Sequence, residues 1–121
     1  MPYSFDESYS LNQYQTDATE LATYPNVSFN MVYPAMGLAG EAGEACDKVK
    51  KFWRNTGDMS DLEATEEWRL ELAKEIGDVL WYASALAKEI GMTLGEVAEI
   101  NITKLRDRHA RGVLKSEGDN R

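Results

Sequence analysis

Two long stretches, residues 34–54 and 61–90, repeat their apolar residues at helical spacing, and each carries a pair of acids three residues apart at the same phase. At about 100° per residue with Glu41 at zero, Leu38, Ala39, Ala42, Ala45, Cys46, Val49, Phe52 and Trp53 fall in one arc, roughly 20° to 160°. Glu44 lies roughly 60° to the other side, and Lys48 and Lys51 share its stripe. With Glu75 at zero, Leu72, Ile76, Val79, Leu80, Ala83, Leu86, Ala87 and Ile90 occupy nearly the same arc, and Asp78 takes the place of Glu44. A period of 3.6 is incompatible with a strand, so both stretches must be helices that bury one face. If the two apolar faces pack antiparallel, four carboxylates converge on one rim of the contact.

The rest of the chain also reads as helix. Ser10 and Gln13 fit a capping box ahead of Leu11, Tyr14, Ala18 and Leu21, which predicts a helix over 11–23 that stops before Tyr24-Pro25. Pro34 suits the first turn of a helix over 34–54. Ser60 and Glu63 offer a second box for a helix over 61–90, closed by Gly91. Thr93 and Glu96 offer a third, for a helix over 94–109. The remainder reads as an extended tail. No strand-like alternation of useful length is present, so the expectation is an all-α, four-helix bundle-like fold in a single domain over 1–121. The 121 residues are enough for a real core, at 43% hydrophobic and 28% charged.

Composition narrows the function. A net charge of −8 argues against a nucleic-acid binder. The charge is uneven, because Lys104, Arg106, Arg108, Arg111 and Lys115 cluster near the C-terminal end. No run approaches the roughly 18 apolar residues of a membrane span. The opening MPYSFDESYS has neither a basic start nor an apolar run, so no secretory leader is expected. With Cys46 the only cysteine, a reducing cytoplasmic setting is the expectation.

Four converging carboxylates repel one another unless a cation or protons intervene. A hard divalent cation with oxygen-only ligands, Mg²⁺ or Mn²⁺, resolves the repulsion at Glu41, Glu44, Glu75 and Asp78. One such pair of acids is usually surface decoration; two pairs at the same phase on neighbouring helices are much rarer. The only histidine, His109, lies far along the chain, and no Glu-x-x-His motif occurs, which argues against a di-iron bundle. Gly37, Gly40 and Gly43 beside the acids leave room for a ligand or for a closely packed helix.

The stretches GLAGEAGEACDKVKK, KEIGDVLWYASALA and INITKLRDRHARGVLK resemble the MazG-like all-α nucleoside triphosphate pyrophosphohydrolases over about residues 11–118. The shared set is E-x-x-E, E-x-x-D and an Asn-x-x-Lys helix. Gly40 departs from that pattern, standing where family members often carry an extra acid. The resemblance implies hydrolysis of a nucleoside triphosphate, in particular a deoxynucleotide, to monophosphate and pyrophosphate. It also implies that Mg²⁺ at Glu41, Glu44, Glu75 and Asp78 binds the triphosphate, in a homodimer or homotetramer. One of the acids, Glu41 or Glu44, is expected to act instead as the general base on the attacking water, with the choice between them open.

Asn101 shares a helix face with Leu94, Val97, Ala98 and Leu105. It is either a core amide bonded to backbone or, as the resemblance implies, a nucleotide contact. Lys104 and Arg108 follow on that side and suit phosphates. Lys48 and Lys51 suit phosphates or salt bridges, and Trp53 suits a base or the core. The resemblance puts Tyr82, one turn after Asp78, near the sugar or base. Trp81, turned from its helix's apolar arc, suggests an oligomer surface. Two other readings compete with this one: a non-catalytic helical assembly module stabilised by metal, and a phosphoribosyl-ATP pyrophosphohydrolase.

Overall fold

A computed structural model of the protein describes residues 3–112, which form four helices: α1 (Leu11–Thr19), α2 (Val32–Thr56), α3 (Glu66–Glu89) and α4 (Leu94–Arg111). No strand occurs among the described residues, so the all-α expectation holds. The expected tail lies outside them from residue 113 on.

Local hydrogen bonds set the helix limits, and they move some of the expected ones. α1 stops at Thr19 because the Ala18 carbonyl accepts from the Trp81 indole at 3.1 Å and from the Leu21 N–H, while the Thr19 hydroxyl takes the Gln15 carbonyl. α2 begins two residues early, at Val32, since Asn30 Oδ1 accepts from the Tyr33 N–H and Pro34, having no N–H, loses nothing in the first turn. The Ser60–Glu63 box does not form. Asp58 captures that segment instead, accepting from the Ser60 N–H, the Ser60 hydroxyl and the Glu63 N–H. α3 therefore starts at Glu66, capped by Thr65, whose hydroxyl accepts from the Trp68 N–H. Its end is closed by Gly91 at φ 75°, with Gly91 N–H on the Lys88 carbonyl and Met92 N–H on the Ala87 carbonyl. The Thr93–Glu96 box forms in full at the start of α4.

α3 is the central element. α2 packs against it over much of its length; α1 and α4 pack against it and against each other. The tightest packing is at the C-terminal half of α3, where Ala18, Tyr24, Pro34, Ser84, Ala85, Ala87 and Leu94 are buried. Gln15 ties three helices there: its amide nitrogen donates to the Ser84 and Met92 carbonyls and its oxygen accepts from the Leu94 N–H. Such a fully satisfied buried amide fixes one arrangement of the helices.

The apolar arc of α2 divides. Leu38, Ala45 and Phe52 turn to α3, with Phe52 and Trp68 rings 4.3 Å apart. Ala39, Ala42, Cys46, Val49 and Trp53 stay exposed, as does Ile76 on α3. The expected single buried face is thus half covered by the chain itself. Trp81 is also corrected: it points inward, edge-on to Tyr24 and Tyr82, and is not an exposed surface residue. Among the described residues no helix is long and apolar enough to cross a membrane.

Candidate functional site

Midway along the α2–α3 contact, one carboxylate oxygen each from Glu41, Glu75 and Asp78 lie within 4.8 Å of one another. Glu41 sits on the α3-facing line of α2, between Leu38 and Ala45, and is half-buried like Glu75; Asp78 is exposed on the rim. Burial pushes the Glu41 carboxyl above the usual range, and the Asp78, Glu75 and Glu44 carboxylates push it further. Three oxygens at this spacing, with their mutual repulsion unrelieved, fit one hard divalent cation.

Glu44 stands one turn on from Glu41, outside the trio. It lines a neighbouring hollow of about 450 Å³ with Lys48, Lys51, Phe52 and Trp68. Lys51 Nζ reaches Asp47 at 2.7 Å, and Lys50 shares that carboxylate at 3.0 Å. The expected set is therefore brought together in two adjoining pieces, a tight trio and a mixed acid–base stretch about 10 Å further along α2 by helical rise.

On the other side of the trio, Glu41 and Asp78 open into a hollow of about 370 Å³ walled by Trp81 and Tyr82. Tyr82 lies against Gly37: a Cβ there would overlap its ring. Tyr33 stands 6.4 Å from Tyr82 and stacks on Tyr24 at 5.1 Å. Burial raises the Tyr82 hydroxyl above its ordinary value, with Tyr33 and the Glu41 and Asp78 carboxylates adding to the effect. Tyr14 on α1 is raised too, by burial and by Asp78. Gly40 and Gly43, by contrast, face open space, so of these three only Gly37 is required by a contact among the described residues.

The remaining expected residues lie elsewhere. Trp53 is half-exposed, about 120° around α2 from Glu41 and away from the acid rim. Asn101 is exposed, Lys104 is half-buried on α4 and Arg108 is buried at 8% exposure. No α4 residue lines the hollow that holds Glu41 and Asp78. A larger hollow, about 630 Å³, lies away from the acids, between Tyr3 and Phe5 and the Leu70–Lys74 turn of α3. Its size exceeds that of the acid hollow, but it lacks a cluster of metal-ligating groups. Sequence reasoning missed Tyr14, Tyr24 and Tyr33; the run of tyrosines around Pro25 and Pro34 was the available signal.

The MazG nucleotide pyrophosphohydrolase domain matches this chain over residues 34–113, from the start of α2 past the end of α4. A protein named Gene 37 protein, from Mycobacterium phage L5, is 41% identical over 113 residues, covering 89% of this chain and 96% of its own length. No solved structure matches.

Proposed function

We propose that this chain, which belongs to the MazG nucleotide pyrophosphohydrolase family, hydrolyses nucleoside triphosphates, deoxynucleotides among them, to the monophosphate and pyrophosphate. The observation that carries the reading is the Glu41, Glu75 and Asp78 trio on facing helices, opening into an aromatic-walled hollow. Mg²⁺, or Mn²⁺ in its place, fits the all-oxygen donor set, and when bound it would neutralise phosphate oxygens and make a water more acidic. Glu41, Glu75 and Asp78 hold it. Glu44, outside the trio and beside it, accepts the proton of the attacking water. Water oxygen bonds to the α-phosphorus, the bond to the bridging oxygen breaks, and pyrophosphate leaves with the electron pair. Lys48 and Lys51 stand beyond Glu44 to receive it. Tyr82 and Trp81 stand at the opposite end, where the nucleoside goes.

The exposed half of the α2 arc, with Val49 45% and Trp53 53% exposed, supports a homo-oligomer in which a second copy covers it. In such an assembly the exposed Asn101 of a second copy's α4 is the residue of the expected α4 set that could face the site.

The test is a panel of the eight common nucleoside triphosphates with Mg²⁺ in ¹⁸O-water, products read by ³¹P NMR and mass spectrometry. The expected result is pyrophosphate release with the label in the monophosphate. No turnover of any nucleotide would leave the metal-stabilised assembly module as the better reading. Label in pyrophosphate would refute attack at the α-phosphorus.

A further inference from the structure

Glu89 is the last residue of α3, about 16 Å along the helix from Asp78, too far away to touch the acid trio. Its carboxylate is nonetheless fully engaged. Oε2 accepts from the Tyr24 hydroxyl at 2.5 Å and the Ser28 N–H at 2.8 Å, and Oε1 accepts from the Asn30 N–H at 2.9 Å. The loop it grips is a demanding one, with Asn26 at φ 54° and Ser28 at φ 79° in the left-handed region. Such backbone persists only where its surroundings over-determine it, and Glu89 supplies two of the three bonds that do so through N–H groups.

The grip is passed toward the site by two routes. Asn30, held by its own N–H, accepts from the Tyr33 N–H through Oδ1 and donates to the Pro25 carbonyl through Nδ2, which fixes where α2 begins. Tyr24, held by its hydroxyl, stacks on Tyr33 and meets the edge of Trp81. Tyr33 and Trp81 both stand against Tyr82, which lies on Gly37 and lines the hollow with Glu41 and Asp78. The carboxyl of Glu89 is held below the usual range by the Tyr24 hydroxyl and the Asn30 and Ser28 N–H groups, so it stays charged near neutral pH and keeps all three bonds.

We propose that Glu89 is a positioning residue for the nucleoside subsite: by clamping Tyr24 and the 28–30 backbone it sets Tyr33, Trp81 and Tyr82 as one aromatic wall beside the acid trio. The proposal rests on the reading of that hollow as the nucleoside's place. A residue acting this way governs how tightly the nucleoside is held and leaves the triphosphate end alone.

Calorimetric titration of the full chain with Mg²⁺ tests it, using a non-hydrolysable nucleoside triphosphate analogue and, separately, inorganic tripolyphosphate. Glu89→Ala should raise the Kd of the analogue by about 10-fold while leaving that of tripolyphosphate within about twofold. Glu89→Gln, which retains an acceptor oxygen, and Tyr24→Phe, which retains the stacked ring, should give smaller shifts of the same kind. They carry the test if Glu89→Ala does not fold. In turnover assays the same variants should raise KM more than they lower kcat. An unchanged analogue Kd, or equal losses for the analogue and tripolyphosphate, overturns the proposal. A wild-type protein that binds the analogue but turns over no hydrolysable nucleoside triphosphate refutes the proposed activity and leaves the positioning role standing. A wild-type protein that binds the analogue no better than tripolyphosphate refutes the nucleoside subsite and with it the positioning role, whatever the turnover assay gives.

Discussion

Glu41 and Glu89 lie in two regions of the same α2–α3 pair and stand in opposite circumstances. Glu89, at the closed end, accepts three hydrogen bonds and its carboxyl is held low. Glu41, at the middle, has burial and three other carboxylates against it and its carboxyl is pushed up. The first charge is used up within the chain. The second has no cationic or hydrogen-bonding partner among the described residues, and it sits where three oxygens converge. Folding favours the first arrangement and merely tolerates the second, so the acid trio is read as kept for a ligand and the clamp as kept for the fold around it.

The largest effect should come from breaking the unsatisfied side of this contrast. Altering a group that only orients a metal ligand costs about 10–100-fold, so Glu41→Gln or Asp78→Asn, which removes a ligand outright, should lower Mg²⁺-dependent pyrophosphate release by more than about 100-fold. Far-UV circular dichroism should be unchanged. Residual activity near the wild-type level in both variants would mean that the trio is not the reaction centre.

Metal should next close the gap between the two regions. A cation at about 100 times its Kd adds roughly 2.7 kcal/mol, which for a domain of this size is a rise in Tm of about 10 °C. Scanning calorimetry with EDTA and then with Mg²⁺ should show that rise in the wild type and lose most of it in Glu41→Gln. An equal rise in both proteins would put the cation somewhere else.

The closed end and the middle also differ in how far the sequence revealed them. Apolar periodicity fixed four helices, because burying a face is a local pattern that a single chain displays. The phase shared by the Glu41–Glu44 and Glu75–Asp78 pairs likewise announced that acids of the two helices would meet. The limits at Thr19 and Glu66 were hidden, since they depend on partners distant in sequence or on competing local ones: the Trp81 indole taking the Ala18 carbonyl, and Asp58 taking the Ser60 and Glu63 groups. Glu89 was invisible for the same reason: its donors lie about 60 residues away, and nothing in the KEIG stretch marks it. The helical period also predicts one buried face for α2, but Val49 and Trp53 on that arc are exposed. The chain's own α1 and α4 do not pack on α2.

The glycines between the two regions sharpen the contrast further. Gly37 bears the Tyr82 ring, so Gly37→Ala forces the ring off its seat at about 1–3 kcal/mol, partly offset by about 1 kcal/mol of helix propensity. Gly40 and Gly43 face open space, so Gly40→Ala and Gly43→Ala should gain up to about 1 kcal/mol. Urea titration checks both signs. A destabilised Gly40→Ala protein would mean that another copy already occupies that space.

The smallest effect is the most direct test of the opposition between the two glutamates, and it is a matter of sign. A raised folded-state carboxyl, as at Glu41, holds its proton at a pH where the unfolded chain has released it. Stability from this group is therefore intact below the ordinary glutamate value and is lost as pH climbs through the raised one. A lowered carboxyl, as at Glu89, behaves the other way: its contribution is intact above the ordinary value and is lost as pH falls through the lowered one. In EDTA, a plot of Tm from about pH 3 to pH 7, spanning the ordinary carboxylate range, should sag on its acid side because of Glu89 and on its upper side because of Glu41. Glu89→Gln should flatten the acid side alone and Glu41→Gln the upper side alone, and Mg²⁺ should lift the upper side of the wild type, since a bound cation does there what the missing proton no longer can. Curves for Glu41→Gln and wild type that run parallel across the whole range would show that the crowded carboxylates impose no strain on the fold, and the contrast between the two ends of the helix pair would then reduce to a difference in exposure.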